Sequence, residues 1–125
     1  EYENIEVKHI SEILEKYSTE LKTKFEGTAS YFDSTILKNN ELGETPRNLL
    51  KDMGIELKEF KNPKSCGANG GLKANFPKLA NKIARRRLNE CPSKTIISCC
   101  PRDYQQLKEN SKNIQILELS EVIEI

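Results

Sequence analysis

The chain has 125 residues, 31% of them charged and 36% hydrophobic, with a formal net charge of +1. That is enough chain for one domain with a single buried core. The near-neutral charge gives no electrostatic case for nucleic acid or an anionic membrane, and no apolar run reaches the roughly 20 residues that span a bilayer.

Val7, Ile10, Leu14, Tyr17 and Leu21 recur at intervals of three and four residues and predict an opening amphipathic helix. His9, the single histidine, falls off that stripe and reads as a solvated side chain. Gly27 ends this segment, and Thr28 to Phe32 has strand character. Thr45 and Pro46 open a short helix, with threonine as N-cap, proline at the first helical position, and Leu49, Leu50 and Met53 facing inward. Gly54 closes it, and Ile55 to Phe60 alternates as a second strand.

The stretch SCGANGG, residues 65–71, follows and feeds a long helix. Its expected buried stripe is Phe76, Ala80, Ile83, Ala84 and Leu88, with Pro77 in the first turn. The basic run Arg85-Arg86-Arg87 on that helix reads as a solvated face. Thr95 to Cys99 is a short buried strand, and Cys100-Pro101 starts a helix carrying Tyr104 and Leu107. Ile114 to Leu117 is the last strand, and Ser120 can cap a final helical turn. No internal repeat or low-complexity segment interrupts the pattern.

Strands alternating with helices predict an α/β domain with a mostly parallel sheet of about four strands flanked by helices, Rossmann-like. In such a sheet, ligands bind where the loops leave the carboxyl ends of the strands. Three loops qualify: Asp33-Ser34-Thr35, Ser65-Cys66-Gly67 and Cys100-Pro101-Arg102-Asp103. Cys66 and Cys100 therefore converge on one edge. Cys91 precedes its strand and belongs at the opposite edge, in a structural role. Cys99 and Cys100 are neighbours on an extended strand, so their side chains point to different faces.

YFDS, ETPRNLLKDMGIELKEF, SCGANGGLKANFPKLANKIARRRL and TIISCCPRDYQQLKE together closely resemble the cysteine-rich CCG domain. That domain occurs in the B- and D-type subunits of heterodisulfide reductase, the glycolate oxidase iron–sulfur subunit, lactate-utilisation proteins and the E-type subunit of archaeal succinate dehydrogenase. VKHISEIL fits the helix leading into the domain's C-terminal copy, so the resemblance covers nearly the whole chain. It implies that residues 1–125 form a single CCG-type domain, a fragment of a longer iron–sulfur oxidoreductase subunit. The isolated domain is then not expected to be active alone.

The family pattern takes its cysteines from an Asp-Pro-Cys loop, a Cys-Cys-Gly loop and a Cys-Pro-x-Cys turn. They hold an unusual iron–sulfur centre, or zinc in some isolated domains. This chain has Asp33-Ser34-Thr35, Ser65-Cys66-Gly67 and Cys100-Pro101-Arg102-Asp103 in those places. Thr35, Ser65 and Asp103 thus stand where the pattern has cysteine. The resemblance makes Cys66, Cys100, Gly67, Gly70 and Gly71 the cofactor-binding candidates. The metal candidates are Cys66, Cys100 and Asp103, with Cys99 or water as a fourth ligand.

A cluster usually needs about four thiolates, whereas zinc accepts carboxylate oxygen beside sulfur. A thiol role needs less: Cys100 precedes a proline-started helix, whose dipole favours a thiolate, and a Cys66–Cys100 disulfide is geometrically conceivable. The alternative is a pair of free thiols without redox work. The glycines precede a helix, as in an anion cradle, but their spacing is neither GxGxxG nor the Walker pattern. They read as letting the backbone pass close to whatever fills the cysteine pocket.

Two functions follow as expectations. One is an electron-transfer module of an iron–sulfur oxidoreductase complex, working with other subunits or domains. The other is a degenerate, metal-free scaffold that docks partner subunits. Both place the domain in the cytoplasm, with membrane association at most peripheral and through partners.

Overall fold

The computed structural model describes residues 3–124. Four strands form the central sheet: β2 (Thr28–Phe32), β3 (Glu56–Leu57), β4 (Thr95–Ser98) and β5 (Gln115–Glu118). They lie in the order β3-β2-β4-β5, every neighbouring pair parallel. The register places Ser30 beside Ile96 and Ile96 beside Ile116. The fold is the expected Rossmann-like α/β sheet with helices on both faces.

One face carries Ala29, Tyr31, Ile97 and Cys99. Leu37 of α2 (Thr35–Asn39), Leu49 and Leu50 of α3 (Thr45–Asp52), and Leu119 and Val122 of α7 (Leu119–Val122) cover it. The other face carries Phe32, Ile96 and Ile116, packed with Cys66, Leu88 of α5 (Pro77–Asn89) and Leu107 of α6 (Pro101–Asn110). Successive strand residues alternate between these layers, as a pleated strand requires. All four β4 residues are buried because the strand lies between two neighbours and two helical layers. An edge ribbon, β1 (Lys22–Thr23) against β6 (Ile123–Glu124), pairs antiparallel and has no counterpart among the expected strands.

Several expectations are corrected. The first helix, α1, spans only Ile10–Glu15. His9 starts it through a capping box with Glu12, so Val7 lies outside the helix and is 88% exposed. Ile10 and Tyr17 are exposed too, leaving Leu14 and Leu21 to meet the core. The long helix after the glycine loop is two pieces, α4 (Leu72–Asn75) and α5, broken at Phe76 (φ −135°, ψ 64°). Pro77 disfavours helical backbone in the residue before it, and Phe76 is consequently exposed rather than part of the stripe.

Arg87 is buried and paired with Glu90, so only Arg85 and Arg86 of the basic run are solvated. Caps differ by a residue or two: Glu44 precedes α3, and Glu118 caps α7 in place of Ser120. No helix among the described residues is long and apolar enough to cross a membrane.

Candidate functional site

The site lies at the carboxyl edge of the sheet, where the chain leaves β4 for α6 and where the loop after β3 returns toward α4. Cys100 is the N-cap of α6. The buried Ser98 hydroxyl holds this turn: it accepts from the Cys100 N–H and donates to the Cys100 carbonyl, both at 3.3 Å. Pro101 at the first helical position needs no hydrogen-bond acceptor for its nitrogen and lets α6 begin at once. Two residues further on, Asp103 turns back under the loop and is 2% exposed.

Across from it, the loop brings Cys66, with no exposed surface, to the same point. Gly67 makes this approach possible. Its φ of +83° suits glycine, and a Cβ there would stand 3.0 Å from the Ala80 carbonyl oxygen of α5. The closeness expected of this glycine is therefore to a helix. Gly70 has open space around it, and Gly71 (φ +73°) is the N-cap of α4.

The Cys66 thiol donates to Asp103 Oδ1 at 3.2 Å, and Asn69 Nδ2 reaches the same oxygen at 3.5 Å. Cys100, 7% exposed, starts the helix that carries Asp103. Burial pushes the Asp103 carboxyl up from the usual carboxylate range, while the Cys66 and Cys100 thiols pull the other way. Burial also raises the Cys66 thiol, and the Asp103 charge adds to it. Cys66 is thus held as a protonated thiol. Asp103 Oδ2, Asn69 Oδ1 and the buried Ser34 hydroxyl have no hydrogen-bond partner among the described residues.

Cys99 does not join this group. It packs in the opposite layer with Tyr31, whose buried hydroxyl has no hydrogen-bond partner among the described residues. Burial pushes the Cys99 thiol up to about 12. Cys91 sits before β4 and donates to the Ser93 carbonyl at 3.3 Å, away from the site. His9 is half-buried rather than solvated. Its Nδ1 accepts from the Ser11 N–H at 3.2 Å, which puts the ring proton on Nε2, 3.3 Å from the Cys99 carbonyl.

Beside the site, Arg47 makes two forks, one to Asp33 (2.7 and 2.5 Å) and one to Glu59 (3.0 Å each). Its guanidinium also lies 4.9 Å from the centre of the Tyr31 ring. Sequence reasoning missed this arginine. The available signal was an acidic residue at each of two strand exits with an arginine between them.

This scaffold and this edge are those of a known family. The model of the CCG cysteine-rich domain matches residues 29–108. The chain belongs to this family. Two curated relatives are both the D subunit of dihydromethanophenazine:CoB–CoM heterodisulfide reductase. The Methanosarcina mazei protein is 28% identical over 134 residues, covering 96% of this chain and 33% of the relative. The Methanosarcina acetivorans protein is 30% identical over 132 residues, covering 94% and 32%. The chain spans about a third of the length of these relatives.

The CCG resemblance implies an iron–sulfur centre, and the donor set of this CCG domain does not fit one. Cys66 and Cys100 are the thiols carried by the two loops at this edge. Thr35 is exposed on the first turn of α2, and the exposed Ser65 hydroxyl accepts from the Gly67 N–H. With Cys99 on the other face, the set falls short of the about four thiolates a cluster uses. Zinc fares no better: among the described residues no three His, Cys, Asp or Glu side chains are arranged to hold a metal ion.

Proposed function

We propose that this CCG domain is a redox module of a larger, heterodisulfide reductase-like subunit. It works beside other domains or subunits that carry the iron–sulfur clusters, in the cytoplasm or at the inner face of the membrane through those partners. The observation that carries this reading is the Cys66–Asp103 pair, placed on the family scaffold at the ligand-binding edge of the sheet. The likeness over nearly the whole chain to subunits of a heterodisulfide reductase supports disulfide chemistry as the wider context.

The test uses the full-length parent protein, reduced with a low-potential dye and offered a small-molecule disulfide. Disulfide-dependent oxidation of the dye is the expected result. A folded, cluster-loaded protein that leaves the dye reduced contradicts the reading.

A second reading, a docking scaffold without redox work, has its own observation. Ile36, Phe76 and Leu79 are about half exposed or more, on helix starts near this same edge. Under that reading, serine at all three positions releases the neighbouring subunits while Cys66→Ser and Cys100→Ser change nothing.

A further inference from the structure

The near-neutral total hides an uneven distribution of charge. Residues 60–89 hold eight of the 20 lysines and arginines and none of the 19 acidic residues. The other 95 residues hold 12 basic and all 19 acidic side chains, so a segment of +8 is set against a remainder of −7. A split of this size acts on charged partners beyond contact distance.

Most of the eight charges are not neutralised within the fold. Lys73 pairs with Glu109, and Arg86 and Arg87 share Glu90. Lys61, Lys64, Lys78, Lys82 and Arg85 are exposed and have no ion-pair partner among the described residues. Helical geometry gathers part of this charge into a row. Lys78, Lys82, Arg85 and Arg86 lie on the side of α5 that faces away from its buried Ala80, Ala84 and Leu88. At about 1.5 Å per residue the row is about 12 Å long. Phe76 and Leu79, 62% and 50% exposed, stand at the start of the same helix. Large apolar side chains bordered by unpaired cations have the apolar centre and polar rim of a protein interface.

We propose that the outward face of α5 docks an acidic surface of another subunit, whose carboxylates meet Lys78, Lys82 and Arg85 and whose apolar side chain meets Phe76 and Leu79. This docking face rests on the reading that the domain works beside other subunits, and it gives that partner its chemistry. Long-range attraction helps bodies that must find each other by diffusion, whereas a domain tethered on the same chain is already held at high effective concentration. A lipid surface fits less well. A helix lying on a bilayer carries apolar side chains along its length, but here the exposed ones end within the first turn and Ile83 is half-buried.

The test treats the full-length parent protein, purified together with its neighbouring subunits, with a carbodiimide that joins lysine amines directly to touching carboxylates. Peptide mass mapping should find Lys78 and Lys82 joined to aspartate or glutamate of a different polypeptide. The triple variant Lys78→Glu, Lys82→Glu, Arg85→Glu, with folding checked by circular dichroism, should weaken the association at least about tenfold at low salt. The difference should fade near about 1 M salt, where screening acts within about 3 Å. Lys16→Glu, Lys22→Glu, Lys24→Glu makes the same charge change at exposed positions outside the segment and should weaken the association much less.

Crosslinks confined to the parent chain or to a second copy of it overturn the proposal, as does equal weakening by the two triple variants. Flotation with phosphatidylserine vesicles that the first variant abolishes, without crosslinks to another subunit, makes the face a lipid contact and overturns it too. Crosslinks to another subunit in a protein that leaves the dye reduced remove the redox reading and leave the docking face standing. Dye oxidation without those crosslinks does the reverse.

Discussion

Two polar clusters sit at the carboxyl edge of one sheet and treat burial in opposite ways. Around Arg47, every guanidinium nitrogen is engaged, with the carboxylates of Asp33 and Glu59 each taking a two-toothed fork. Around Asp103, one oxygen takes two hydrogen bonds, while the other oxygen and Asn69 Oδ1 have no partner among the described residues. The first cluster is arranged to hold the structure. The second keeps polar groups in reserve, which costs stability and is characteristic of sites that do chemistry.

The sharpest way to break that contrast is Arg47→Ala. It leaves the buried Asp33 carboxylate without its partner and should lower stability by about 3–5 kcal/mol in urea unfolding. A loss below about 1 kcal/mol would mean the network is not structural. Gly67→Ala comes next. It combines a positive φ with contact against the Ala80 backbone, and about 1–3 kcal/mol of destabilisation is expected. The added methyl also pushes the loop off α5 and draws Cys66 away from Asp103, so Cys66 should alkylate faster in the folded variant than in the parent.

Asp103→Asn tests the other cluster through pH. The folded-state pKa of Asp103 is raised above its unfolded value, so the folded protein binds this proton more tightly than the unfolded chain. The stabilisation is fully present below the unfolded pKa near 3.8 and is lost as pH rises through the folded value. Denaturation across the acid range should show the parent losing stability relative to Asp103→Asn as pH climbs from about 4. Parallel curves for the two proteins would deny the raised carboxyl. Smallest of all, Tyr31→Phe removes a buried hydroxyl without a full partner, and should shift stability by less than about 1 kcal/mol in either direction. A larger loss would show that the hydroxyl stabilises the fold despite lacking a partner among the described residues.

The parts of this fold legible in the sequence were those set by local periodicity. Thr95 to Cys99 reads as a buried strand because it is short and β-rich; the strand runs Thr95–Ser98, and Cys99 just beyond it packs in one core layer as alternation predicts. Ala80, Ala84 and Leu88 of α5 are readable for the same reason. The first helix is misread because periodicity ignores capping: His9 and Glu12 fix its start after Val7 has already passed. Phe76 is misplaced because the effect of Pro77 on the preceding residue outweighs a favourable stripe. Arg47 with Asp33 and Glu59 is hinted at only by acidic residues at two strand exits with an arginine between them, because it is the folded sheet that brings those strand ends together. The location of the site follows from topology. The hydrogen bond from Cys66 to a residue 37 positions away does not.

The central claim is that this CCG domain keeps a thiol pair where the family pattern would place a cluster. Iron, zinc and acid-labile sulfide, measured per chain after anaerobic purification together with a thiol count, test it most directly. The expected result is no stoichiometric metal or sulfide and four titratable thiols in the unfolded reduced chain. Stoichiometric iron and sulfide that disappear in Cys66→Ser and Cys100→Ser would contradict it.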